Sequence, residues 1–214
     1  MPKTIPDPLF DSWRSYQNIV AANCMFHREI AADLRRILGA RFGGKPFAFL
    51  DLGCGDGATL APVLEGLALR RYKGVDLSQT ALTLATKNLT ILPCEAELTQ
   101  GDFFAALAQE TSPFDVIYSG YALHHLATEE KAEFFLRAAR CLAKGGFLAL
   151  VDVTREEGES LEAYYRRYCG WLRSSWPLDA RDIDAVCEHL VHNDGGGVRI
   201  PLAVPMKSIS CSGI

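Results

Sequence analysis

Asp51-Leu52-Gly53-Cys54-Gly55-Asp56-Gly57 places two carboxylates around glycines at every second position, directly after the apolar run 47–52. Without those Cβ atoms the chain can bend tightly, and its peptide N–H groups and the following helix N-terminus can approach a polar ligand. Asp76 follows at about the spacing at which a Rossmann-type site places the carboxylate that accepts hydrogen bonds from ribose hydroxyls. A nucleoside cofactor is the expectation, against the plainer reading of an Asp that merely ends a strand. The Gly-x-Gly-x-Gly order departs from the Gly-x-Gly-x-x-Gly of a dinucleotide site, which weighs against a nicotinamide enzyme. Asp102-Phe103 offers an acceptor for an exocyclic amine and an apolar wall for a purine, although Gly-Asp also starts many turns.

Proton handling falls to histidine, whose unperturbed pKa lies near neutrality. His124 and His125 follow an apolar run, with Tyr121 just before them, and His125 is the preferred general base. His27, four residues after Asn23 on an amphipathic stretch that also carries Tyr16, is the second candidate. The competing reading of Asn23 and His27 is a satisfied structural pair. His189 and His192 have a helical three-residue spacing that suits a metal, but no neighbouring cysteine or third ligand supports one, so a solvated helix end is expected and no metal.

The chain that must hold these groups has 214 residues, 49% of them hydrophobic and 22% charged, which suits one domain with a substantial core. A formal charge of −4 with scattered Lys and Arg gives no field for a polyanion, so nucleic acid is not an expected partner. The seven cysteines are widely spaced without a Cys-x-x-Cys pair, which fits reduced thiols in the cytoplasm. No signal-peptide pattern opens the chain and no run is long and apolar enough for a bilayer, so no membrane association is expected.

Apolar spacing predicts one long helix from Tyr16 to Ile37, closing near Gly39, and then a strand over 47–52. A helix over 58–69 and a short strand over 72–76 follow, then a helix over 80–89 capped by Ser78 and a weak strand over 96–100. After a clear strand over 114–119, a helix buries a stripe of Ala132, Phe135, Leu136, Ala139 and Leu142. It stops at Lys144-Gly145-Gly146 before a strand over 147–153. Beyond Thr154 come an acidic stretch, aromatic residues 164–176 read as a packing surface, a helix over 179–190, and β-like runs over 198–204 and 207–211. Strands alternating with helices imply a doubly wound, mostly parallel α/β sheet with right-handed crossovers, whose ligands lie beyond the strands' carboxyl ends.

Six stretches stand in one order and spacing: Asp51 to Gly57, Gly74-Val75-Asp76-Leu77-Ser78, Gly101-Asp102, Phe114-Asp115-Val116-Ile117, Ala122-Leu123-His124-His125-Leu126 and Leu142-Ala143-Lys144-Gly145-Gly146. As a set they resemble the class I S-adenosylmethionine-dependent methyltransferases of the small-molecule type, over residues 47–153. The resemblance implies a Rossmann-like α/β/α sandwich with an N-terminal helical lid over 1–45, a cofactor-binding core over 46–153, and a helical and aromatic segment with tail over 154–214 in the same domain. It implies that Gly53, Gly55 and Gly57 hold the methionine moiety and that Asp51 orients the loop. Asp76 would bind the ribose, Leu77 and Phe103 would sandwich adenine, Asp102 would meet its amino group, and Ser119 would line the methionine end. Methyl transfer from S-adenosylmethionine to an O, N or S nucleophile, with S-adenosylhomocysteine (SAH) as product, is the implied reaction. His125, Tyr121 and His27 are its candidate catalytic residues.

The Asn-Pro-Pro-Tyr type of motif seen in base and glutamine N-methyltransferases is missing after the fourth strand, where Ser119-Gly120-Tyr121 stands. A small molecule is therefore the expected acceptor, and the chain a monomer or homodimer. The family's closing antiparallel hairpin has little sequence left, so a shortened C-terminal hairpin is expected. The alternative is a cofactor-binding protein of this shape that is inactive or needs a partner to complete its sheet.

Overall fold

A computed structural model describes residues 13–193. Helices α1 (Trp13–Ala21) and α2 (His27–Phe42) lead into strand β1 (Phe47–Leu52). The short helix α3 (Ala61–Leu64), strand β2 (Leu69–Asp76) and helix α4 (Gln79–Asn88) come next, then strand β3 (Ala96–Gln100) and helix α5 (Phe103–Gln109). Strand β4 (Phe114–Gly120), a 3-10 turn (Leu123–His125), helix α6 (Thr128–Cys141), strand β5 (Leu142–Val151) and helices α7 (Leu161–Ser175) and α8 (Ala180–Asn193) complete the described chain.

The strands pair in parallel in the order β3-β2-β1-β4-β5. β1 lies at the centre and is buried along its whole length, as Phe-Ala-Phe-Leu-Asp-Leu requires of a strand covered on both faces. Leu34, Leu38, Val63, Leu64 and Ala85 of α2, α3 and α4 cover one face. Phe103, Leu107, Phe134 and Ala138 of α5 and α6 cover the other. A third cluster joins Ile19 of α1 to Tyr164 and Leu172 of α7 and Ile183, Val186 and Leu190 of α8, so both ends of the described chain meet in one helical cap. The aromatic residues after 164 belong to that packing, with Tyr164 and Trp176 buried. The six described cysteines are free thiols, and no helix among the described residues is long and apolar enough to cross a membrane.

Several elements differ from their sequence expectations. The single N-terminal helix is two, because Asn23 and Phe26 both take left-handed backbone with φ of 57°. The Asn23 side chain holds the break, accepting from the Arg28 N–H at 2.9 Å and donating to Glu29 at 2.9 Å. α2 runs past Gly39 to end at the left-handed Gly43. The helix expected over 58–69 shrinks to one turn, since β2 starts at Leu69 and claims its end. In α6 the inward stripe is Lys131, Phe134, Ala138 and Cys141, one residue away from the expected one, and Leu136 is 56% exposed. α6 passes directly into β5 at Leu142, and Lys144-Gly145-Gly146 lies inside the strand at an irregularity in its pairing with β4. The β-like runs over 198–204 and 207–211, and with them the expected hairpin, lie outside the described residues.

Candidate active site

β1 is flanked by β2 and β4, and the helices after β1 and β4 cover opposite faces of the sheet. The carboxyl ends of β1 and β4 therefore form the switch point where an open α/β sheet leaves a crevice. A cleft lined by Tyr16, His27, Asp51, Asp56, Tyr118 and Tyr121 lies at that point.

The glycine loop forms its floor. Gly53, Gly55 and Gly57 have φ of 76°, 53° and 67°, a region that side chains with a Cβ enter only at a cost. Gly53 is doubly constrained, because a Cβ there would stand 2.7 Å from the Ala122 Cβ. The loop is tied to the end of β2: Gly53 and Cys54 donate to the Val75 carbonyl at 2.8 and 3.1 Å, and Gly55 donates to Asp76 Oδ2 at 2.8 Å. The other Asp76 oxygen accepts from the Ser78 N–H at 2.8 Å. Asp76 thus shapes the loop besides standing where a ribose carboxylate is expected.

Asp51, Asp56 and Asp76 gather around this loop, the first two 2% and 7% exposed. Burial pushes the Asp51 carboxyl up to about 7, against the hydrogen bond that Tyr72 donates at 2.7 Å and with some help from the charge of Asp76. Burial also raises Asp76, opposed by the Ser78 and Gly55 N–H groups. Burial, with the charges of Asp56, Asp76 and Asp51 behind it, raises Tyr16 of α1 far above the usual phenol range, so its hydroxyl stays protonated. The cleft gathers acidic groups walled by neutral hydroxyls, and Asp51 gains its negative charge as pH rises through about 7, which then suits a cationic ligand.

His27 opens α2 and lines the same cleft. It is 6% exposed, and neither ring nitrogen has a hydrogen-bond partner among the described residues. Burial lowers its pKa, so it is a neutral imidazole with a lone pair to offer. The Asn23 and His27 of the sequence reading thus separate: Asn23 is the satisfied structural residue and His27 is not. Tyr121, left-handed at φ 54°, stands 5.5 Å from the His27 ring and donates its hydroxyl to the Met25 carbonyl, tying the α1–α2 connection to the end of β4.

The other expected residues scatter. Tyr118 lines the cleft, so the alternation of β4 turns Ser119 to the opposite sheet face, where its Oγ is buried without a partner among the described residues. Asp102 caps α5, accepting from the Ala105 N–H at 2.7 Å. Phe103 packs edge-on against Phe134 within the core, and Leu77 is 58% exposed beside Asp76. His125 stands outside the cleft lining, its ring 4.1 Å from that of His124 and 5.4 Å from that of His189. His192 of α8 lies apart, exposed and bonded to the Glu188 carbonyl. Tyr118 in the cleft wall and Asp152 beside His124 are further residues of the site, outside the sequence expectations. The period of two along β4 marks the first, and a carboxylate just after the end of β5 marks the second.

Residues 49–146 match a family model described as a methyltransferase domain. An uncharacterized methyltransferase of Bacillus licheniformis is 30% identical over 184 residues, 85% of this chain and 84% of its own. The plantazolicin methyltransferase BpumL, solved with SAH and a pentazolic desmethylPZN analog, superposes with a TM-score of 0.60 at 19% identity, over 84% of this chain and 64% of its own. An amino pentose methyltransferase from Micromonospora echinaspora, solved with S-adenosylmethionine bound, gives 0.53 at 24% identity, over 66% of this chain and 57% of its own. The chain therefore spans less than two thirds of either solved structure, and these likenesses carry the fold. With the matched domain and the Bacillus relative beside the glycine loop at the switch point, the chain belongs to the class I S-adenosylmethionine-dependent methyltransferases.

Proposed function

We propose that this protein transfers a methyl group from S-adenosylmethionine to an O, N or S nucleophile of a small molecule that carries a proton to be removed. The observation behind this reading is His27, a buried neutral imidazole whose ring nitrogens have no partner among the described residues, lining the same cleft as the acidic glycine loop. An enzyme that only aligned two reactants would have no need to keep a base there, and burying an unpartnered imidazole costs free energy.

The residues fit the cofactor. The backbone of Gly53, Gly55 and Gly57 would receive the methionine end, and the ligand's cationic groups would favour the ionised form of the buried acidic groups Asp51 and Asp76. Asp76 would also take the ribose hydroxyls. The exposed Leu77 gains cover from an adenine ring, with Phe103 behind it and Asp102 near the amino group, while Ser119, turned to the other sheet face, takes no part. When bound, S-adenosylmethionine supplies a methyl group already activated on a sulfonium. Holding the acceptor in line and excluding water is then most of what the protein must add. His27 takes the acceptor's proton at a ring nitrogen and Tyr121 holds the wall beside it, whereas His125 stands outside the cleft lining. The cap of α1, α7 and α8 serves as the lid.

The test is titration calorimetry with S-adenosylmethionine and SAH, followed by mass spectrometry of a metabolite extract incubated with protein and cofactor. The reading expects binding of both and a gain of one methyl group on a small molecule. Binding of neither would refute the cofactor assignment, and binding without any methylated product would favour a non-catalytic cofactor-binding protein.

A further inference from the structure

His124 and His125, from the turn after β4, and His189 of α8 bring one ring nitrogen each to within 4.8 Å of one another. The imidazole of His124 is held by a buried carboxylate. Asp152, whose side chain is 2% exposed, faces His124 Nδ1 at 2.6 Å and accepts from the His124 N–H at 3.0 Å and the Val153 N–H at 2.8 Å. That pairing puts the His124 proton on Nδ1 and the lone pair on Nε2, the arrangement in which a carboxylate orients a metal-ligating imidazole.

We propose that His124, His125 and His189 form a binding site for a divalent transition ion of the zinc type, oriented by Asp152. The donor set decides the class of ion. Three imidazoles suit zinc and its soft or borderline neighbours, whereas magnesium and calcium require oxygen ligands. Three protein ligands also leave a fourth tetrahedral position for water or an exogenous heteroatom. The ring centroids lie 4.1, 5.4 and 6.4 Å apart, so small side-chain rotations bring the nitrogens to the roughly 3.4 Å spacing that zinc–nitrogen bonds of about 2.0–2.1 Å impose. The negative Asp152 supplies compensating charge, and His125 and His189 are only half-buried, which gives an ion a way in. Sequence spacing directs attention to His189 with His192. The fold instead takes His189 from α8 and joins it to the turn after β4, so the ion would clip the helical cap to the sheet.

The site is tested on the untagged 214-residue chain, stripped with a chelator and titrated with cobalt(II) alone. The expected result is stoichiometric uptake with the visible absorption of tetrahedral, nitrogen-ligated cobalt, displaced by zinc. His189→Ala should lose that band, and Asp152→Asn should weaken uptake by about 10–100-fold. Wild-type protein without the band, or His189→Ala with undiminished uptake, overturns the proposal. X-ray absorption of the zinc-loaded wild type gives a check that needs no variant: an imidazole-rich shell supports the site, and a sulfur-dominated shell overturns it.

Discussion

Replacing Asp51 by Asn should make the folded protein markedly less sensitive to rising pH. The Asp51 carboxyl is buried, holds one hydrogen bond from Tyr72, and sits at about 7 in the folded protein against 3.8 when unfolded. Because the folded value is the higher one, the folded state binds the extra proton. Its contribution to stability is complete below about pH 4 and is lost as pH rises through about 7. The full shift is about three units, or on the order of 4 kcal/mol. Between about pH 5 and pH 8 the linkage relation gives a loss of roughly 2.5 kcal/mol from this one group. Asn keeps the shape and an acceptor for the Tyr72 hydroxyl but has no proton to lose. Denaturant unfolding of both proteins at the two pH values isolates the effect, since the remaining titrations cancel in the difference. Wild type should lose roughly 2.5 kcal/mol more than Asp51→Asn, and parallel pH dependences would refute the assignment of a buried, proton-holding carboxyl. Ionisation of Asp51 should also make S-adenosylmethionine affinity rise with pH through about 7 in wild type by more than that of SAH, which lacks the sulfonium charge, and not in the variant.

His27→Phe should lower turnover by about 10²–10⁴-fold while leaving cofactor affinity within a few-fold, read by single-turnover kinetics beside calorimetry. Because burial lowers the His27 pKa, the wild-type rate should be flat above the ordinary histidine value and fall as pH drops through the lowered one. A limb at or above the ordinary value points away from His27. Asp76→Ala should weaken cofactor binding by about 1–3 kcal/mol, since the ribose would lose a charged acceptor and Gly55 its anchor; unchanged affinity in calorimetry would move the ribose elsewhere. Gly53→Ala meets both the left-handed φ and the Ala122 contact, and should cost about 2–4 kcal/mol in denaturant unfolding. Adding Ala122→Gly should return the contact part and leave the φ part, a coupling that additive losses would disprove.

Much of the core was legible because short-range rules govern it. The run 47–52 is apolar at every position but Asp51, which marks a strand covered on both faces. Ser78 accepts from the Ala81 N–H at 3.2 Å as its place before a helix suggests, and the run 96–100 is a strand at the expected residues. Errors fell where tertiary contacts overrule local pattern. Nothing in the spacing of Tyr16 to Ile37 reveals a break, because it depends on Asn23 reaching over Arg28 and Glu29 in a left-handed turn. The stripe of α6 slipped by one residue because Leu136 and Ala132 fit a helical period as well as Phe134 and Ala138 do, and only the docked sheet face chooses between them.

The site divides along the same line. Glycines at alternate positions after a buried strand, followed by Asp76, specify a cofactor loop by sequence alone, since backbone freedom and residue spacing along the chain are sequence properties. Which histidine faces the cleft is not such a property. By sequence, His125 after the fourth strand ranks ahead of His27 as the base. Tertiary packing sends His125 toward His124 and His189, and leaves His27 buried beside the loop with no partner among the described residues. The side chains concerned come from elements far apart in the chain, and their meeting depends on how α2 and α8 dock over the carboxyl edge of the sheet.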